Sequence, residues 1–344
     1  MNYNKEPETI AVIGAGAIGG ITAAFLQKAG PDVELVTNHR DAMERINATG
    51  LHVFGLRGDE TVRVKAVASI SELSGQKDLV LLATKATECL EAASQLLPFL
   101  HEGSQVVSLQ NGICESALAD ILGESRVIGC VVAWSASMFT PGELELTDEG
   151  EFVIGPIDSS DPEQLGPIRA ILQTVMPTRI SEKIMAELYS KLVLNACMNS
   201  PCVVTGLHLS PLLKLKNGRK LFVGIMREAM AVADAAGIRV PVVRLNYARF
   251  LNPPHLLGDI KRSLFLRLMS VASKKVKVSS MQSVARGRKT EVDFLNGYIC
   301  DLGRNHRIPT PLNDLMVRMV KEIESGARTM SPDNLNIPEI KNPR

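Results

Sequence analysis

Net charge is almost missing from this chain of 344 residues, in which 38 Lys and Arg stand against 37 Asp and Glu, a formal balance of +1. No global field is left to gather nucleic acid or an anionic membrane, so any charged ligand must be recognised locally. Long hydrophobic runs are missing too. No apolar stretch approaches the roughly 20 residues that a membrane-spanning helix needs. The N-terminal MNYNKEPET has neither the apolar core of a signal peptide nor an Arg-rich amphipathic presequence. Six cysteines, Cys89, Cys114, Cys130, Cys197, Cys202 and Cys300, are scattered without CxxC or Cys/His spacing. Neither a metal site nor a disulfide framework is expected, and reduced thiols in a cytoplasmic protein are. Repeats and low-complexity blocks are also absent. What remains is 45% hydrophobic and 22% charged, a globular composition long enough for two domains with separate cores.

The first half alternates short apolar runs with helical patterns. Strands are expected at Thr9–Ile13, Val33–Val36, Leu79–Ala83, Val106–Leu109 and Val127–Ala133, with a helix at Ala17–Ala29. Such alternation predicts a parallel sheet covered on both faces. A hairpin is expected to close this half, turning at Thr140–Gly142 and Asp148–Gly150 around Glu143–Leu146 and Phe152–Ile154. Asp161 before Pro162 and Glu163 reads as a helix start, and Thr178–Ser181 as a last short strand. Beyond that the pattern turns helical, at Lys183–Ser200, Arg219–Ala236 with Gly237 as its stop, Leu256–Val271, Ser283–Arg304 and Leu312–Glu324. The fold class is therefore an α/β N-terminal Rossmann-type dinucleotide-binding domain, residues 1–181, followed by an all-α C-terminal domain, residues 182–324. Residues 325–344, with Pro332, Pro338 and Pro343, read as an extended tail.

IAVIGAGAIGG places Gly14, Gly16 and Gly19 in GxGxxG spacing directly after the first strand and at the start of the first helix. Gly14 permits a tight turn, Gly16 lets backbone approach a pyrophosphate, and Gly19 lets helix and strand pack closely. The loop Gly14, Ala15, Gly16, Ala17, Ile18 and Gly19 is thus the candidate pyrophosphate contact, with the helix N-terminus facing the anion. At the second strand's end, where an acid would hold the ribose of NAD, stand Thr37, Asn38, His39 and Arg40. With no carboxylate there and Arg40 at hand, Asn38 and Arg40 are candidates for a 2′-phosphate and NADP is expected, although Asp41 next along leaves NAD open. Lys85 and Gln110-Asn111-Gly112 follow later strands at the ligand edge, which makes Lys85 and Asn111 candidate cofactor contacts, with a surface lysine and an ordinary Asn-Gly turn as the alternatives.

In SKLVLNACMNSP, Lys191, Asn195 and Asn199 recur every fourth residue among apolar neighbours, with Glu187 one turn earlier. At about 100° per residue the three fall within roughly an 80° arc. A ligand-facing stripe accounts for all of them together, where a snorkelling lysine and two backbone-bonded amides would be three separate accidents. Glu291 projects into the apolar arc of Val292, Leu295, Ile299 and Leu302, so it is a candidate buried carboxylate, or a first-turn glutamate favoured by the helix dipole. Ser279 and Ser280 would cap that helix or offer donors to an anion.

Together these pieces resemble the ketopantoate reductase (2-dehydropantoate 2-reductase) family over nearly the whole chain, to about Glu324. The matching segments are GAGAIGG at Gly14–Gly20, KATE at Lys85–Glu88, LQNG at Leu109–Gly112, PG…IG from Pro141 to Gly155, K-x3-N-x3-N at Lys191–Asn199, SSMQSVARGRKTEVDFLNG at Ser279–Gly297 and IPTPLN at Ile308–Asn313. The resemblance implies NADP(H)-dependent reduction of 2-dehydropantoate to (R)-pantoate, a step of pantothenate and coenzyme A formation. It implies that Lys191 is the proton donor and that Asn195 and Asn199 hold the keto and hydroxyl oxygens. Asn111 would sit between nicotinamide ribose and substrate, and Glu291 would touch the cofactor or Lys191. Ser279, with Ser280 as fallback, would meet the carboxylate, and Lys274, Lys275, Lys277, Arg286, Arg288 and Lys289 would attract it or be plain solvated surface.

The chain also departs from the family pattern. Leu209 stands where some members have a further asparagine, the usual Gln-Asp after the serine reads Gln282-Ser283, and Trp134 lies near the nicotinamide edge. These departures leave open another branched or aromatic 2-keto acid, a β-hydroxyacid-type dehydrogenase, or an NADP-binding regulator without catalysis. The expected partner is a small 2-keto acid, and apolar surface on the helical domain leaves room for a homodimer.

Overall fold

The computed structural model describes residues 6–242, 246–251, 258–272 and 278–341. Contacts divide the chain into two units, Met1–Gln110 with Cys114–Leu188, and Asn111–Ile113 with Tyr189–Arg344.

In the first unit the strands are β1 (Thr9–Ile13), β2 (Asp32–Val36), β3 (Leu51–Gly55), β4 (Gly58–Val62), β5 (Lys65–Val67), β6 (Lys77–Leu82), β7 (Leu100–Ser108), β8 (Val127–Val132), β9 (Ser135–Thr140), β10 (Glu143–Asp148), β11 (Phe152–Pro156) and β12 (Thr178–Ile180). The helices α1 (Ala17–Ala29), α2 (Arg40–Thr49), α3 (Cys89–Leu96), α4 (Glu115–Leu122) and α5 (Gly166–Leu172) connect them. Eight strands form one sheet in the order β12-β11-β8-β7-β6-β1-β2-β5. From β8 to β5 every neighbouring pair is parallel. The chain leaves β1 for β2 on one side and later returns to β6 on the other, so the strand order reverses between β1 and β6. Such a reversal opens a crevice at the strand C-termini, where Gly14 and Ala83 lie.

The expected strands and α1 are present, but the closing hairpin is different. Its turn at Thr140–Gly142 joins β9 to β10, which lie antiparallel in a second sheet of order β4-β3-β10-β9, while β11 leaves to pair antiparallel with β8. Burial separates the two destinations. In β10 Leu144 and Leu146 are buried and the glutamates beside them are not, the period of a strand with one wet face. β11 is buried on both faces, as an interior strand of a covered sheet must be. Asp161 does start a helical segment, its side chain accepting from the Glu163 N–H at 3.0 Å.

The second unit is helical: α6 (Ile184–Thr205, shared with the first unit to Leu188), α7 (Leu209–Lys214), α8 (Lys216–Ala235), α9 (Tyr247–Leu251), α10 (Gly258–Ala272), α11 (Ser279–Ala285), α12 (Asn296–Asn305), α13 (Pro311–Glu324) and α14 (Pro338–Lys341). Tyr189 and Cys197 of α6 donate to the Ala229 and Phe222 carbonyls of α8. Gly237 adopts φ +71° just past α8, as a helix stop requires.

Two expectations fail here. The helix read from Ser283 to Arg304 is broken into α11, a 3-10 turn at Val292–Phe294, and α12. Gly287 takes φ +65° and Leu295 sits at φ −107°, ψ −94°, neither of which continues a helix. The apolar set Val292, Leu295 and Ile299 is nonetheless buried, so the periodic signal reported burial rather than one continuous helix. The segment read as an extended tail carries a 3-10 turn at Pro332–Leu335 and then α14. It is fastened to the unit by buried Leu335 and Ile340, by Asn217 bonding the Leu335 carbonyl, and by Asn334 bonding that of Val204.

Candidate functional site

Each of the three glycines of the first loop meets a different physical demand. Gly14 has φ +113°, and a Cβ there would lie 2.8 Å from the Ala83 carbonyl oxygen. On Gly19 a Cβ would stand 2.0 Å from the Gly14 carbonyl oxygen, so only glycine lets α1 pack against the loop. Around Gly16 nothing lies within 4 Å of a Cβ position. That open space stands at the N-terminus of α1, whose first turn has no side-chain cap and no acidic residue. Free N–H groups, the helix dipole and room for an anion coincide there, which fits the pyrophosphate of a dinucleotide.

At the end of β2, Thr37 is buried and its hydroxyl donates to the His39 carbonyl at 2.8 Å, while Asn38 takes φ +57°. Asn38, His39 and Arg40 are exposed, and Arg40 meets Glu72 at 3.3 Å. The one carboxylate within β2 beyond Asp32 is Glu34. It is fully buried and paired with Lys77 at 2.5 Å and Lys65 at 2.6 Å, so it cannot serve a ribose at the strand tip. Lys85 is half-buried at the entry to a short 3-10 turn after β6. Gln110 is buried and ties the strand ends together, accepting from Ser108 at 2.7 Å and donating to the Leu82 carbonyl at 2.8 Å. Trp134 is not at an open edge: it is buried edge-on against Phe152, with the ring centroids 5.7 Å apart.

In the helical unit, α6 carries Lys191 and Asn195 half-buried and Asn199 buried. Glu187 does not extend this stripe. It forms a bidentate pair with Arg179 of β12, which with Ser181 outweighs burial and lowers its carboxyl pKa. Asn199 is engaged within the unit: Nδ2 donates to the Asn195 carbonyl at 3.1 Å, and Oδ1 accepts from Ser279 Oγ at 3.2 Å and the Ser280 N–H at 3.3 Å. A substrate could take only its second Nδ2 hydrogen. The two serines open α11 rather than cap it, with the Ser279 side chain exposed and Ser280 buried. Glu291 is 7% exposed, on the loop entering the Val292–Phe294 turn rather than within a helix. Gly112, next to Asn111 in the chain, packs against the same turn, since a Cβ there would lie 2.6 Å from the Phe294 carbonyl oxygen. Arg286, Arg288 and Lys289 are exposed; Lys274, Lys275 and Lys277 lie outside the described residues.

The family model for Ketopantoate reductase PanE/ApbA matches residues 10–159, and the model for its C-terminal part matches residues 183–324. A PanE/ApbA family ketopantoate reductase from Ralstonia eutropha JMP134 is 30% identical, with a TM-score of 0.79 over 92% of this chain and 98% of that one. The chain belongs to the ketopantoate reductase family. The 2-dehydropantoate 2-reductase of Mesorhizobium japonicum is 27% identical, covering 91% of this chain and 97% of its relative. D-mandelate dehydrogenase, solved with NADH and anilino(oxo)acetate, shares the fold at 21% identity and a TM-score of 0.79, over 93% of this chain and 99% of that one.

Among ketopantoate reductase residues that sequence reasoning left without a role, a buried polar chain stands out. Ser200, next to Asn199, donates to Asn296 Oδ1 at 2.5 Å; Asn296 donates to Asn313 at 2.9 Å; and Asn313 donates to Glu228 at 2.7 Å. Glu228 also accepts the Leu312 and Asn313 N–H groups at the start of α13, and burial, outweighing these donors, raises its pKa. Glu324 of α13 accepts from the Thr290 N–H at 2.7 Å, which fixes the backbone beside Glu291. Asn296 and Asn313 lie inside the LNG and PLN matches, but no periodicity in one sequence pairs residues so far apart.

Proposed function

We propose that this chain reduces 2-dehydropantoate to (R)-pantoate with NADPH, in pantothenate and coenzyme A formation, with Lys191 as proton donor. The observation that carries the reading is the join at Asn199. It fastens the start of α11, with an exposed serine hydroxyl, to a helix face presenting a lysine and an amide. A 2-keto acid needs that set: a cation at the ketone, an amide to orient it, and hydroxyl or N–H donors for the carboxylate.

Gly14–Gly19 would hold the cofactor, which when bound would supply a hydride to the keto carbon. As negative charge grows on the ketone oxygen, the Lys191 ammonium stabilises it and then delivers the proton. Asn195 holds the carbonyl in line, and Asn199 assists through its remaining N–H while it holds Ser279, whose hydroxyl would turn away from Asn199 to donate to the carboxylate, with Ser280 beside it. Glu291 would touch the cofactor or Lys191, and Asn111 and Lys85 would also hold the cofactor. NADPH is favoured over NADH because the tip of β2 offers Asn38 and Arg40 and no carboxylate, and the Arg40–Glu72 pair is a surface contact that a 2′-phosphate can displace.

The test is NADPH oxidation with 2-dehydropantoate beside a panel of branched, aromatic and 3-hydroxy analogues. 2-Dehydropantoate should show the highest kcat/KM. Lys191→Ala should lower kcat by about 100- to 10,000-fold with NADPH affinity unchanged. Near-normal turnover in that variant removes Lys191 from the mechanism, and a better substrate elsewhere in the panel changes the assignment.

A further inference from the structure

On the helical unit, between α8 and α10, lies a cavity of about 300 Å³ with a cationic wall. Lys216, Arg219, Lys220 and Arg227 come from α8, and Arg262 and Ser263 from α10. Among the described residues no carboxylate lines it, although acids and bases are almost equal in number over the whole chain. Such segregation of one charge into a concave site is what an anionic ligand requires. None of Lys191, Asn195, Asn199 or Ser279 lines this cavity.

Arg219 is the anchor. It is only 8% exposed, and its guanidinium is held in place by its own fold: Nε donates to Ser263 Oγ at 2.9 Å, and Nη1 to the Leu213 and Lys214 carbonyls at 2.9 and 2.7 Å. Nη2 meets no acceptor among the described residues. A buried cation without a carboxylate is costly, and burial, followed by the nearby Arg267, holds its pKa below the usual arginine value. The cost falls when an anion enters. Val223 and Leu266 give the same cavity an apolar floor, which a simple ion would not need.

We propose that this cavity is a second ligand site, for a small molecule bearing a diphosphate group. Arg219 would bind one phosphate through Nη2, with Lys216, Lys220 and Arg227 sharing the remaining charge. One carboxylate would leave most of these cations unanswered, whereas a diphosphate offers several oxygens to several donors.

Inorganic pyrophosphate is the probe, titrated by calorimetry into the full-length protein saturated with NADPH, with hydrogen exchange read by mass spectrometry. Binding should protect amides of residues 213–227 and 258–266, and acetate at equal ionic strength should not. Lys216→Gln with Arg227→Gln, both exposed positions, should weaken binding about tenfold or more with Tm unchanged. Arg219→Gln should abolish binding; because Arg219 also holds two backbone carbonyls, the exposed pair keeps the test decisive if that variant fails to fold. Protection confined to residues 13–20 would mean that the dinucleotide loop alone takes the anion. That result, or equal affinity in the variants, overturns the proposal without touching the assignment of the reaction.

Discussion

Asn199→Ala tests whether Asn199, besides the substrate contact proposed for it, holds α11 against α6. The variant loses three hydrogen bonds, to the Asn195 carbonyl, from Ser279 Oγ and from the Ser280 N–H. They are not equal. Ser279 is exposed and its hydroxyl can turn to water, which makes that loss nearly neutral. The Asn195 carbonyl lies within α6 and keeps a helical position. Ser280 is 4% exposed in the first turn of α11, where an N–H has no intrahelical acceptor, so it is left buried and unsatisfied at a cost of about 1–3 kcal/mol. With the packing lost from a buried amide, about 2–3 kcal/mol of stability should go. Ser279→Ala, by the same reasoning, should cost less than about 0.5 kcal/mol.

Denaturant unfolding gives the totals, and hydrogen exchange over 279–285 shows whether the loss is local to α11. In the enzyme assay both variants should raise KM for the keto acid, and their effects should be strongly non-additive, because both act through Ser279. If Asn199→Ala costs less than about 0.5 kcal/mol and leaves exchange in α11 unchanged, the bracket between α6 and α11 has no energetic meaning.

Two glycine substitutions should part company: Gly16→Val should fold normally and weaken NADPH binding at least about tenfold, whereas Gly19→Ala should lose about 3 kcal/mol or more of stability; calorimetry and thermal melts distinguish them. Arg40→Glu should raise KM for NADPH about tenfold and leave KM for NADH little changed, and equal effects on the two would remove Arg40 from cofactor choice. Glu34 provides a pH test. Burial alone would raise its pKa, but Lys65, Lys77 and Ser74 together lower it to about 2, below the usual 4.5. Its contribution is therefore fully present above about pH 4.5 and lost as pH falls towards 2. Glu34→Gln should cost about 3–5 kcal/mol at neutral pH by stranding Lys77, and should flatten the acid limb of a stability profile taken from pH 7 to 2. An acid limb of unchanged slope would show that other carboxylates set it.

The parts of this protein legible in one sequence were those governed by neighbours along the chain. Gly14 and Gly19 carry their conformational roles in their spacing, because a tight turn and a close packing contact form within six residues. The α6 stripe was legible for the same reason, since a helical period places residues four apart on one face. The sequence-level reading failed where a choice depended on distant segments. Glu143–Leu146 and Phe152–Ile154 looked like partners because they adjoin, but one found β3 and β9 and the other β8 and β12. Glu187 looked like part of the stripe until Arg179 arrived from β12, and Val292–Ile299 looked like one helix until Gly287 and Leu295 bent it. The join of Asn199 to α11, the Ser200–Asn296 and Asn313–Glu228 bonds and the packing of Gly112 against Phe294 each link residues some 80 to 180 positions apart. The amino-acid order determined which side chains could do chemistry, because residue type and local period are written along the chain. Only the tertiary structure decided which of them met, because a hydrogen bond or an ion pair depends on distance in space, and folding sets that distance through the packing of whole elements.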